Sequence, residues 1–144
     1  MKFSRILVPV SGAESDSEAV QLGCRLARES KGKIYVIHVI KVRRSLPLDA
    51  EMEPDTRTAE RILQGAEETA HDQDYRIDTD LLQTREAGPA IVTEAAERQV
   101  DLIIMGMTYR TRFGRFELGE TIPYVLKNAP CRVVILRRPA PEAP

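Results

Sequence analysis

At 144 residues the chain is sized for one domain with one sizeable core. Hydrophobic residues make up 42% and charged residues 30%, a globular rather than a disordered balance. The net charge of −1 supplies no global field for nucleic acid, and no apolar run approaches the roughly 20 residues that span a bilayer. These numbers argue against nucleic acid as a partner and against direct membrane insertion.

In chain order, five short apolar runs alternate with four stretches of helical period. The first is Arg5–Val10 (RILVPV), rich in β-branched residues and reached from the N-terminus with no signal-peptide pattern, which implies a cytoplasmic protein. Ser15-x-x-Glu18 then matches a capping box. Ala19, Leu22, Gly23, Leu26 and Ala27 follow at one helical face, and Gly32 closes the unit. Lys33–Ile40 (KIYVIHVI) is apolar almost throughout, as expected of a strand buried on both sides. Lys41–Asp55, with Pro47 and Pro54, predicts a surface loop, and Ala59, Ile62, Leu63, Ala66 and Ala70 predict the next helix.

Asp80–Thr84 is a weaker, less apolar strand and hence a candidate sheet edge. Gly88-Pro89 opens a helix carrying Ile91, Val92, Ala95 and Ala96, and Asp101–Met105 (DLIIM) is the fourth strand. An arginine- and glycine-rich loop follows. Proline is tolerated only in a first turn, so Pro123 requires the last helix to begin near Gly119-Glu120-Thr121. Arg132–Arg137 (RVVILR) is the fifth strand. The domain is expected over residues 1–138, with Pro139–Pro144 a frayed tail.

Alternating strands and helices imply a single-domain, doubly wound α/β fold: a five-stranded parallel sheet with right-handed crossovers and helices on both faces. Ligands of such sheets bind beyond the carboxyl ends of the strands. That rim holds Pro9–Ala13, the segment after Val39, and Gly106–Thr121. Cys24 and Cys131 sit among core-like residues and are expected as buried free thiols, with no disulfide framework and no metal site. His38, inside the second strand, is expected as a hydrogen-bonded core residue. No Ser/His/Asp or Cys/His set is brought together by the proposed fold, so no catalytic residues and no enzyme activity are expected.

DLIIMG, then a glycine-bearing loop, then LGETIPYVLKNAPCRVVILR, resembles the C-terminal half of universal stress proteins. ILVPVSGAESDSEAV and IHVI resemble that family's first strand and helix and its second strand, so the resemblance covers nearly the whole chain in order. It implies the Rossmann-like sheet of the adenine-nucleotide-hydrolase type, with strand order 3-2-1-4-5. It also implies homodimers joined through the last strand, Arg132–Arg137, whose open apolar edge a second copy would cover. Arg132, Arg137 and Arg138 are placed to limit further growth of that edge.

The nucleotide-binding branch of the family carries a glycine, two residues, a second glycine, nine residues, then glycine with serine or threonine. Such glycines let backbone N–H groups approach phosphate, and the last pair opens a helix. Gly106 and Gly119 keep the first and third positions, whereas Tyr109 replaces the second glycine and Glu120 the hydroxyl residue. Ser11 stands where the family usually has an aspartate. The binding residues implied for ATP or another adenine nucleotide, with or without Mg2+, are Pro9, Ser11 and Val39 around adenine. Gly106, Gly119 and Thr121 would hold the phosphates, helped by Arg110 and Arg112.

The resemblance implies a stress-response or signalling module that senses a nucleotide. Its other branch is a nucleotide-free interaction module, for example one regulating a membrane transporter, with the arginine loop and Lys41–Asp55 as docking surface. A third reading compares Ser11–Ser17 with the pyrophosphate loop of ATP pyrophosphatases, but that loop's second glycine is missing and its register is shifted by one residue. Receiver domains need acidic residues after the first strand and an aspartate after the third, where Ser11 and Arg85 stand.

Overall fold

The computed structural model describes residues 1–107, 109, 111–112, 115–116 and 118–140, with the backbone alone at 112. The strands of the main sheet are β1 (Arg5–Pro9), β2 (Lys33–Lys41), β3 (Asp78–Thr84), β4 (Leu102–Met107) and, last in the chain, β7 (Arg132–Arg137). The helices are α1 (Ser15–Arg28), α2 (Glu53–Asp72), α3 (Ala87–Glu97) and α4 (Thr121–Asn128). All pairings in the sheet are parallel and the order is β3-β2-β1-β4-β7, which is the expected 3-2-1-4-5. The weakly apolar β3 lies at one edge and β7 at the other.

Both faces of the sheet are covered. Ile6, Val8, Ile34, Val36, Leu102 and Ile104 face α1 and α2, where Ala19, Val20, Cys24 and Leu63 complete one core layer. The alternate residues Leu7, Ile37, Ile103 and Met105 face α3 and α4, meeting Ile91, Ala95, Ile122 and Val125. This two-sided burial is why β1, β2 and β4 read as unbroken apolar runs.

Several expectations shift at the element ends. Ser15 does not cap α1 with its side chain; it is the first helical residue, after Glu14. Glu18 instead pairs with Arg138, 3.0 Å away. The Arg138 guanidinium also meets the Glu14 carboxylate at 2.8 Å and the Glu14 carbonyl at 3.1 Å, fastening the end of β7 to the start of α1. Lys31, Asp74 and Gln99, just past α1, α2 and α3, take the left-handed conformation with φ near +54°. Each is followed by an N–H that bonds back into its helix: Gly32 to Ala27, Tyr75 to Ala70, Val100 to Ala95.

Within the arginine-rich loop, Thr111–Arg112 (β5) and Arg115–Phe116 (β6) pair antiparallel as a small second sheet. Cys24 is fully buried as expected, whereas Cys131 is half-buried; both are free thiols. No described helix is long and apolar enough to cross a membrane. Of the expected tail, residues 141–144 lie outside the described residues.

Ile103 is fully buried at the centre of the α3–α4 layer. Truncation to alanine is expected to cost about 2–5 kcal/mol in urea unfolding, because the neighbouring strands cannot close the gap.

A cavity at the carboxyl rim of the sheet

The carboxyl ends of β1, β2 and β4 open into a cavity of about 380 Å³ on the α3–α4 side. Strand lengths create it. The β1–β2 ladder ends at Pro9 opposite Ile37, with one further bond from the Val10 N–H to the Ile37 carbonyl at 2.9 Å. The β2–β3 ladder runs on to Lys41 opposite Thr84. Backbone groups alternate sides along a strand, so Val39, two residues beyond Ile37, turns its N–H and C=O to the same side, past the end of β1.

The floor and walls are apolar: Pro9, Val10 and Ile37, then Met105 and Met107 from β4, and Ile91 and Ile122 from α3 and α4. Among the described residues the polar lining is Ser11, His38, Glu120 and Thr121. Of the expected binding residues, Pro9, Ser11, Val39, Gly106 and Thr121 come together here. Gly119 adjoins the lining, immediately before Glu120. Arg110 and the Arg112 side chain lie outside the described residues.

Three residues show how the rim is built. Gly106 is needed for close approach, but to protein: a Cβ there would lie 2.7 Å from the Cβ, carbonyl oxygen and Oγ of Ser15. Helix α1 thus starts directly against β4, and the Ser15 hydroxyl is buried with no hydrogen-bond partner among the described residues. Gly119 has φ +73°, a left-handed turn that glycine adopts without strain, and it aims the chain into α4. Tyr109 stacks at 5.0 Å on Phe116 and lies under the Arg137 guanidinium at 5.6 Å, so its ring joins the hairpin to the end of β7.

The sequence reading passed over Asp16. Its carboxylate accepts hydrogen bonds from the N–H groups of Ser11 (3.2 Å) and Gly12 (2.6 Å), which fixes the loop that forms one wall. The signal was present as an acidic residue in the first turn of α1, masked by the capping box one residue earlier. Burial pushes the Asp16 carboxyl above its ordinary 3.8, opposed by these two N–H groups and by His38. His38 is hydrogen-bonded as expected, through Nδ1 to the Val10 carbonyl at 2.8 Å, and it belongs to the cavity lining as well. The apolar wall residues from α3 and α4 were legible only as core.

Removing the Asp16 carboxylate leaves two backbone donors without their acceptor, so Asp16→Ala is expected to lower stability by about 1 kcal/mol in urea unfolding at neutral pH. The folded state holds the Asp16 proton to higher pH than the unfolded chain does. Its stabilising contribution is therefore full below pH 3.8 and declines as pH rises through the raised folded value. The stability difference between wild type and Asp16→Asn, followed by urea titration from pH 3.8 upward, should fall with pH.

Comparison with known proteins agrees with this architecture. A universal stress protein of Methanocaldococcus jannaschii is 29% identical over 97% of this chain and 85% of its own length. A Na(+)/H(+) antiporter of Synechocystis is 29% identical over 92% of this chain, which spans only 19% of that protein. Among solved structures, a universal stress protein from Archaeoglobus fulgidus in complex with dAMP superposes with a TM-score of 0.74 at 19% identity, covering 94% of this chain and 98% of that one. One from Arabidopsis thaliana with AMP bound gives 0.67 at 18% identity, covering 98% and 95%. The sequence profile of the universal stress protein family matches residues 2–137, and the chain belongs to that family.

Proposed function

We propose that this chain is a regulatory module of stress response or signalling that binds an adenine nucleotide in the rim cavity and is not an enzyme. The observation that carries the reading is the overhang of β2 past β1. It presents one N–H and one C=O, from Val39, beside apolar walls. An adenine edge offers the matching acceptor and donor at N1 and N6, and its ring fills apolar space. About 380 Å³ lies within the usual range for small-molecule sites. Two fold neighbours are complexes with dAMP and AMP, which supports adenine over other bases.

In this arrangement Pro9, Ser11 and Val39 surround the base and ribose, while Gly106, Gly119 and Thr121 receive the phosphate, with Arg110 and Arg112 on the adjoining loop. The described residues contain no group of three or more His, Cys, Asp or Glu side chains able to hold a metal. The donor set does not fit a protein-held Mg2+, and an ion would enter only with its nucleotide.

A second reading follows from the antiporter relative: the domain docks on a membrane transporter. Lys41–Asp55 and the hairpin loop would then supply the contact surface. In either reading β7 remains a sheet edge of half-buried Val133, Val134, Ile135 and Leu136, which pairing with a second copy would cover.

A thermal-shift panel of adenine nucleotides separates the first two readings. Ligand at about 100 times its Kd stabilises the fold by about 2.7 kcal/mol, a rise of several degrees in Tm for a domain of this size. A flat response across AMP, ADP, ATP and cyclic AMP would overturn nucleotide sensing and favour docking. Sedimentation equilibrium at micromolar protein should give twice the 16.2 kDa chain mass; a monomer there would overturn the pairing of β7.

A further inference from the structure

We infer that the open edge of β3 captures the C-terminus of a partner polypeptide, added as a short parallel strand with its terminal carboxylate at Arg44 and Arg85. The groove concerned, about 720 Å³ between β3 and α3, shares none of its described lining residues with the rim cavity. Its volume lies within the usual range for ligand sites.

β3 is an edge strand, paired with β2. The Val42 N–H bonds to the Thr84 carbonyl at 2.7 Å, so Thr84 turns its backbone groups toward β2, as do Leu82 and Asp80. Thr79, Leu81 and Gln83 therefore turn theirs outward. Asp80 Oδ1 accepts the Leu81 N–H at 2.9 Å, and Arg98 holds the other oxygen of that carboxylate at 2.8 Å. This plug closes the upstream part of the edge to an added strand. Downstream, the Leu81 carbonyl and the N–H and carbonyl of Gln83 face outward, and both residues line the groove.

These three groups set the direction and length of a guest. In a parallel ladder one guest residue gives its N–H to the Leu81 carbonyl and accepts the Gln83 N–H with its own carbonyl. The guest residue two places on gives its N–H to the Gln83 carbonyl and comes level with Thr84. Paired residues share a face, so both guest side chains lie on the α3 side, where Leu82 packs. The first meets Leu82, with Pro89 and Ala90 across the groove, and the second lies beside Thr84.

The chain end then falls beside the arginines. Lys41 of β2 pairs with Thr84, so Arg44, soon after it, and Arg85 stand at the carboxyl end of β3, and both line the groove. Arg85 Nη1 is held by the Val42 and Arg43 carbonyls at 3.4 and 2.5 Å, and the guanidinium carries further donors on its other nitrogens. Two acidic residues also line the groove. Glu94 is paired with Arg98 at 2.7 Å, which leaves Glu86 against two guanidiniums. A terminal carboxylate supplies the anion that this end accepts through charge-assisted bonds. A guest of the opposite direction would bring its amino end there, against like charge.

A 15N NMR titration of the full chain tests this with the pentapeptides Gly-Gly-Leu-Ser-Val and Gly-Gly-Phe-Thr-Ala, each as the free acid and as the C-terminal amide. The acids are expected to shift the backbone amide signals of Leu82, Gln83, Arg85, Ala90 and Thr93 with Kd below about 1 mM, and the amides to bind about tenfold more weakly. Raised salt should narrow that gap. Bound acid should also slow hydrogen exchange at the Gln83 N–H. Arg44→Gln, at an exposed position, should weaken the acids about fivefold or more while the amides stay within about twofold. No shift at these residues with about 5 mM of either acid would overturn the capture of a chain end. Equal binding of acid and amide, or shifts confined to the rim cavity, would overturn it as well.

Discussion

The close contact between Gly106 and Ser15 is the constraint on which the rim of this domain depends. Helix α1 must begin directly after the short loop that follows β1, and its first turn lies on β4 with no room for a side chain between them. Once Ser15 is seated there, Asp16 is positioned to gather the Ser11 and Gly12 N–H groups, and that loop becomes a fixed wall. Glu14 and Glu18, one turn apart, then face the end of β7, where Arg138 takes both. Each of these partly exposed pairs is worth little alone. Together they hold one geometry because the buried contact beneath them has already chosen it.

Two-sided burial made the fold easy to read. A strand covered on both faces must be apolar at every position, so β1, β2 and β4 stood out, and the polar admixture in β3 marked it as an edge. Strand order is different in kind, because nothing in the local pattern says which strands are neighbours; it came from family resemblance. Helix ends were harder. Lys31, Asp74 and Gln99 take a left-handed backbone more usual for glycine, and the N–H groups that follow them, on Gly32, Tyr75 and Val100, bond back to Ala27, Ala70 and Ala95 at the ends of their own helices. The capping box at Ser15 was overridden by burial against β4. The β5–β6 hairpin has two residues per strand, too few for any period to show.

Legibility of the cavity divides along the same line. Backbone-dependent positions such as Val39 and Thr121 follow from topology, since a parallel sheet exposes the carboxyl ends of its strands at one rim. Side chains that form the walls, among them Ile91, Met107 and Ile122, belong both to the core and to the cavity, and hydrophobic periodicity is blind to that difference. Family membership sharpens the reading in another way. Gly106 keeps the motif position, yet the atom that a side chain there would strike belongs to Ser15. A glycine retained for packing remains after phosphate-directed features are altered, as at Tyr109 and Glu120, so its presence alone says little about a bound phosphate.

The Arg138 fastening has a thermodynamic corollary. It joins the end of the outermost strand, the natural place for another chain to add, to the start of α1, whose Ser15 packs on the cavity residue Gly106. Two events at opposite ends of such a strut cannot influence one another in one direction only. Whatever factor a neighbour on β7 applies to cavity occupancy, occupancy must return to the neighbour.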